Sequence, residues 1–296
     1  MNHPNRPIKT VLLCTDGSVS AQCSYQYAAW LVQQTQAQLQ VLHVTDMRHQ
    51  AANQNLSGSI GMGASERLLD ELVALDHQKA KLDHQRAQLI LQQAQDALNQ
   101  HGVQPDALLH RTGFLVDCLA QMETDVDLII LGKRGVTAEF APDHLGSNLE
   151  RIVRSSRKPC LVTPRAFQPA QRLVVAYDGS VSNREMLKFL ARTALFAQLD
   201  IHILSVLKSM NDAVIEAQKK DMEQVLSTAV NSWILRPTFH FLTGKPEQVI
   251  PQFITEHKGD VLLMGAYGHS RLRHLVIGST TAQILRGSSI PTFVFR

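Results

Sequence analysis

The chain predicts an α/β fold built twice: two tandem, doubly wound, five-stranded parallel-sheet domains. Three observations carry this. Apolar runs without alternation, the pattern of strands buried on both faces, alternate along the chain with amphipathic helical stretches. Val11-Leu12-Leu13-Cys14-Thr15-Asp16-Gly17-Ser18 is echoed by Val174-Val175-Ala176-Tyr177-Asp178-Gly179-Ser180. Leu131-Gly132-Lys133-Arg134-Gly135 and Gly146-Ser147 are echoed by Met264-Gly265-Ala266-Tyr267-Gly268 and Gly278-Ser279-Thr280. The duplication sets two domains, 1–168 and 169–296, each long enough to bury its own core.

The elements follow in matched order. Each copy opens on a strand, Ile8 to Cys14 and Leu173 to Tyr177, that ends in Asp-Gly-Ser. A helix follows, Ser20 to Gln36 and Ser182 to Gln198, with apolar residues at helical spacing. A second strand runs Leu39 to Val44 and Ile201 to Leu207. After a helical region comes a third strand, Ala107 to Arg111 and Thr238 to Leu242, closed by Thr112-Gly113 and Thr243-Gly244. A helix then leads to Asp127-Leu128-Ile129-Ile130 and Asp260-Val261-Leu262-Leu263. A last helix, Asn148 to Ser155 and Thr281 to Arg286, precedes a final strand at Cys160 to Val162 and Phe293 to Phe295. Strands alternating with helices imply a parallel sheet covered on both faces. Such sheets bind ligands beyond the carboxyl ends of their strands.

The copies differ between their second and third strands. The first carries a small-residue loop, Ala51 to Ala64, and a long helix, Ser65 to Gln100, with Gly102 just past its end. Gly58-Ser59-Ile60-Gly61-Met62-Gly63 lies in that loop, but its glycine order is not GxGxxG and no clear strand precedes it. Leu68, Leu75, Leu82 and Leu89 recur every seven residues. Lys79 and Arg86 interrupt the companion positions of a coiled-coil seam. The stripe is therefore read as the face that packs on the sheet, with a partner-helix role as the alternative.

Composition narrows the function. Apolar residues make up 44% and charged residues 19%, a globular balance, and a net charge of +3 gives no case for nucleic acid. No apolar run reaches membrane-spanning length. The polar stretch Met1 to Thr10 lacks a signal-peptide core, so a cytoplasmic location is expected. Cys14, Cys23, Cys118 and Cys160 show no CxxC spacing and are read as reduced, buried thiols. The histidines show no metal spacing.

The chemistry sits in the second glycine group. Gly265 and Gly268 flank the turn after a buried strand. Gly278 and Ser279 precede the last helix, whose free N–H groups and positive end hold anions. Ser279 and Thr280 add hydroxyl donors. The result is a discontinuous phosphate cradle without the lysine of a GxxxxGK[ST] loop.

An Asp at the end of the first strand, followed by G-2x-G-9x-G-[S/T], resembles the ATP-binding universal stress protein family across nearly the whole chain. The resemblance implies a Rossmann-like fold of the adenine nucleotide alpha hydrolase type. It also implies ATP, with or without Mg2+, across the strand ends and an internal pseudo-dimer through the final strands; a homodimer and unknown protein partners stay open. Carried over, it assigns Tyr177, Asp178, Val206, Met264, Gly265, Gly268, Gly278, Ser279 and Thr280 in the second copy. In the first it assigns Thr15, Asp16, Val44, Leu131, Gly132, Gly135, Gly146 and Ser147. The first copy departs by one residue: ten, Val136 to Leu145, separate Gly135 from Gly146. Lys133 and Arg134 are expected to compensate by reaching a phosphate. The implied function is that of a non-catalytic stress or energy-state regulator. The alternatives are a slow ATPase and a nucleotide-independent scaffold acting through protein partners. With no Walker lysine and no base placed for an attacking water, the ATPase lacks parts.

Overall fold

The computed structural model of the chain describes residues 8–46, 65–133, 145–227, 237–266 and 278–296. Its first half contains β1 (Thr10–Cys14), α1 (Ala21–Thr35), β2 (Gln38–Asp46), α2 (Ser65–Gln100), β3 (Ala107–Gly113), α3 (Leu115–Met122), β4 (Leu128–Gly132), α4 (Ser147–Ser155) and β5 (Cys160–Thr163). The second half repeats the order with β6 (Arg172–Ala176), α5 (Val181–Arg192), β7 (Asp200–Leu207), α6 (Asp212–Leu226), β8 (Thr238–Thr243), α7 (Pro246–Glu256), β9 (Val261–Gly265), α8 (Ser279–Gly287) and β10 (Thr292–Phe295).

All ten strands form one sheet in the order β3-β2-β1-β4-β5-β10-β9-β6-β7-β8. Within each half every pairing is parallel, and the halves join where β5 and β10 run antiparallel, Phe293 opposite Leu161. The final strands, which would be bare edges in separate domains, close each other. Each half therefore has the doubly wound arrangement expected from the sequence, with its topological switch between the first and fourth strands. Val11, Leu12 and Leu13 of β1, and Leu173, Val174 and Val175 of β6, are fully buried, as strands covered on both faces require.

One duplicated aspartate locks each switch point from below. Asp127 Oδ2 accepts the amide protons of Lys9 (2.7 Å) and Thr10 (3.1 Å), and Asp260 Oδ2 those of Gln171 (3.0 Å) and Arg172 (2.9 Å). Each carboxylate thereby pins the start of the first strand of its copy to the start of the fourth.

Two sequence expectations change. The helix read as Ser182 to Gln198 stops at Arg192, because Thr193 turns extended and its Oγ1 accepts from Leu195 N at 3.2 Å. The apolar residues beyond it, Leu195, Phe196 and Leu199, are buried in a turn. The leucine stripe of α2 does not pack on the sheet: Leu75, Leu82 and Leu89 are 60%, 65% and 64% exposed. The face that does pack, against α1 and β2, carries Ala87, Ile90, Leu91, Ala94, Ala97 and Leu98. The four cysteines are free and buried, and burial raises every thiol, Cys23 to about 11 and Cys160 to about 12. Thiols held protonated in this way are poor nucleophiles.

Candidate functional site

The pairing register gathers the family-type residues at one edge of the sheet. The last rungs between β1 and its neighbours are Cys14↔Leu42 and Leu13↔Ile130. Two residues further along lie Asp16 beside Val44, and Thr15 beside Gly132. The second copy repeats this, with Ala176↔Leu204 and Val175↔Leu263 leading to Asp178 beside Val206, and Tyr177 beside Gly265. Leu131 and Met264, the penultimate residues of β4 and β9, are buried beneath this edge. Gly135 and Gly268 lie outside the described residues.

Each Asp-Gly-Ser forms a tight turn. Ser18 N donates to Asp16 Oδ1 at 3.0 Å and Ser180 N to Asp178 Oδ1 at 2.8 Å, so each aspartate holds its own turn. A carboxylate has acceptor capacity beyond one such bond. The central glycines have φ of +73° and +78°, a conformation that only Gly adopts at little cost. The turns then diverge. Ser180 Oγ caps α5 by accepting from Asn183 N, whereas Ser18 Oγ is buried without a hydrogen-bond partner among the described residues. A Cβ at Gly17 would meet Ile90 Cγ1 of α2 at 2.8 Å, while among the described residues nothing lies within 4 Å of one at Gly179. The inserted helix therefore lies against the turn of the first copy, and among the described residues nothing takes its place over the turn of the second.

Residues outside the motif fix the strand ends. His43 Nδ1 lies 2.9 Å from the Thr15 carbonyl, to which it must be the donor, and Ser205 Oγ donates to the Tyr177 carbonyl at 3.0 Å. Burial lowers the basicity of His43. The Tyr177 phenol donates to Asp221, which also pairs with Arg184 at 3.0 Å. Burial and the Asp221 carboxylate both raise the Tyr177 pKa. Its side chain is thus committed to the α5–α6 side, and Tyr177 offers a ligand a wall rather than a hydroxyl. The sequence gives no local signal for these anchors, since each depends on strand register.

The last helices complete the site. Gly146 and Gly278 are the N-caps of α4 and α8, with nearly identical dihedrals (φ −56°, ψ 132°; φ −54°, ψ 134°). No side chain caps either helix among the described residues, and a helix start of this kind is where first-turn N–H groups can meet an anion. Ser279 is exposed and Thr280 half-buried on the first turn of α8, and Thr281 Oγ1 donates to the Gly265 carbonyl at 3.0 Å. That bond ties the two glycine segments together. In α4 the matching position is Leu149, followed by Glu150 in the first turn. An acid there opposes an anion at the helix start.

Lys133, read from sequence as a phosphate contact, sits at the junction of the copies. Its Nζ donates to the carbonyls of Arg286 and Ser288, the latter at 2.9 Å, so it caps the C-terminus of α8 in the other copy. Arg296 Nη1 returns the contact on Ser155 O of α4 at 2.6 Å. Lys133 also lines a cleft of about 270 Å3 with Ser20, Thr163, Arg165, Ser288 and Ser289, at the junction of the copies. Arg134 lies outside the described residues.

Among the described residues no helix is long and apolar enough to cross a membrane, and no group of three or more His, Cys, Asp or Glu side chains is placed to hold a metal ion. The Universal stress protein family profile matches residues 7–164 and again 169–296. Universal stress protein Slr1230 of Synechocystis sp. (strain ATCC 27184 / PCC 6803 / Kazusa) is 51% identical over 291 residues, covering 98% of this chain and 100% of that protein. The crystal structure of a universal stress protein from Archaeoglobus fulgidus DSM 4304 shares the fold with a TM-score of 0.68 at 19% identity, over 97% of this chain and 96% of that one. The chain belongs to the universal stress protein family, as two family domains in tandem.

Proposed function

We propose that this protein is a cytoplasmic, ATP-binding regulator with two unequal nucleotide sites, carried by units spanning 1–168 and 169–296. The second copy holds ATP, with or without Mg2+, and the first binds it more weakly or differently. Adenine and ribose lie along Tyr177, Asp178 and Val206. The phosphates lie over Gly265, Gly268 and the start of α8. The observation that carries this reading is the first turn of α8. It joins a bare glycine cap, the Ser279 and Thr280 hydroxyls, and the Thr281 bond to Gly265, with no acid in the turn. The first copy has Leu149 and Glu150 there instead. Among the described residues the turn at Gly179 in the second copy is also clear, whereas Ile90 lies against Gly17 in the first. Binding would act by shifting a conformational or partner equilibrium, limited by its differential affinity for the two states.

Calorimetric titration of the full chain with ATP, with and without Mg2+, tests the reading. The expected result is one tight site, lost in Asp178→Ala and kept in Asp16→Ala. Saturation at 100 times the dissociation constant adds about 2.7 kcal/mol to stability. Two equivalent sites overturn the asymmetry. Full affinity in Asp178→Ala overturns the placement, and no thermal shift with ATP overturns nucleotide binding itself.

A further inference from the structure

We infer that the N-terminal half of α2 is a dimerisation arm that pairs antiparallel with the same helix of a second copy of this chain. From Asp70 to Arg86 no residue of α2 is buried, a stretch of about 25 Å at 1.5 Å per residue. Burial begins only at Ala87. The exposed stretch is not a solvated polar helix: Leu72, Val73, Leu75 and Leu82 are 46–65% exposed, and Leu89 continues the row. Leucines spaced by seven drift by only about 20° per heptad and so form one stripe along the helix, the pattern that a coiled-coil partner covers. This stretch meets the body of its own chain near its end, where the His84 and His110 rings lie 5.5 Å apart; a helix packed so sparsely is marginal in water, so a covering partner also stabilises the helix itself.

Charge selects both the occupant and its direction. Asp70, Glu71 and Asp76 make the beginning of the arm acidic, with Glu66 and Arg67 before them cancelling. Lys79, Lys81 and Arg86 make the next stretch basic, against a single Asp83. Lys79 and Arg86 occupy the seam positions between the leucines. In a parallel pair Arg86 and both acidic stretches would each face their own copies; an antiparallel pair sets Arg86 level with Glu71, while Lys79 stays near its own copy in either direction. An antiparallel pair with its two-fold axis between Gln78 and Lys79 sets Leu75 of one helix level with Leu82 of its partner. The acidic stretch then lies along the basic one in both directions. A helix with the same charge order fits this surface from both ends, and a second copy supplies one. The arm lies in the first copy, away from the β5–β10 seam that joins the halves, so it links whole chains.

Light scattering on the full chain at tens of micromolar tests the arm. The expected result is twice the 32.9 kDa chain mass, falling to half that value in Leu75→Glu/Leu82→Glu with the far-ultraviolet spectrum retained. Direction is read by oxidative cross-linking against the quiet background of four buried thiols. Gln78→Cys, next to the two-fold axis, should cross-link to its copy, and Glu71→Cys should not. A monomer for the unaltered chain overturns the inference, as does a dimer that survives the double substitution. Efficient cross-linking through Glu71→Cys overturns the antiparallel direction.

Discussion

Ile90 of α2 lies over Gly17, and among the described residues nothing comparable stands over its counterpart Gly179. The two glycines share their backbone conformation, φ +73° and +78°, so a side chain at either is strained by about 1–2 kcal/mol. Only at Gly17 would the new Cβ also meet Ile90 Cγ1 at 2.8 Å. Gly17→Ala is therefore expected to cost about 1–3 kcal/mol more than Gly179→Ala in urea unfolding. Ile90→Ala removes the obstructing atoms. Gly17→Ala/Ile90→Ala should then cost less than the sum of the single changes. Equal losses at the two glycines, or additive losses in the pair, would show that α2 does not bear on the turn.

Lys133 couples the copies through the end of α8. Its ammonium neutralises the carbonyl end of α8, an arrangement worth about 0.3–1 kcal/mol at exposed sites. Lys133→Met is expected to lower the melting temperature slightly and broaden the transition as the halves begin to unfold separately, while ATP affinity stays unchanged. Calorimetric unfolding with and without ATP reads both. A loss of nucleotide affinity without a change in unfolding would restore the phosphate role.

Asp127 and Asp260 each hold two backbone amides across the switch point. Replacing a carboxylate acceptor by a methyl leaves those amides without their charged partner, a loss of about 1.5–3 kcal/mol for a hydrogen bond to a charged group. Asp127→Ala and Asp260→Ala are each expected to destabilise by at least that amount. Hydrogen exchange should locate the opening at Lys9 and Thr10 in the first variant, and at Gln171 and Arg172 in the second. Protection unchanged at those amides would mean that the clamp is incidental.

Much of this was legible in the sequence because it is written locally. Unbroken apolar runs give buried strands, and their alternation with helices gives the winding. Asp-Gly-Ser and the spaced glycines recur in both copies. What was not legible depends on register or on a choice between faces. The α2 pattern shows apolar residues on more than one side, and periodicity alone cannot say that Ala87, Ile90 and Leu91 face the sheet while Leu75 and Leu82 face solvent. Phe196 and Leu199 keep helical spacing in a segment that Thr193 has already turned out of the helix. Lys133 follows a glycine of the phosphate motif, yet the β5–β10 pairing brings the end of α8 within its reach. Strand register placed His43 under Thr15, and no neighbour in sequence announces it.

Histidines set an acid limit to stability. His110 lies near His43 and His84, with ring centroids 6.0 and 5.5 Å away, and His240 near His202 and His257, at 5.2 Å each. Burial first, then these neighbours, hold both below the ordinary value of 6.5, and burial does the same for His43. Asp83 near His110, Asp200 near His240, and Asp16 near His43 act in the opposite sense but do not reverse it, and Arg86 adds to the lowering at His43. A base with a depressed folded pKa takes up its proton more readily when unfolded. Its contribution is therefore complete above pH 6.5 and is lost as the pH falls through the folded value. Melting temperature should hold level above about pH 6.5, the unperturbed histidine range, and decline below it before the carboxylates begin to titrate. His110→Asn/His240→Asn should flatten the decline between pH 6.5 and 5, the interval in which ordinary histidines titrate. A decline of the same slope in that variant would assign the acid sensitivity to other groups.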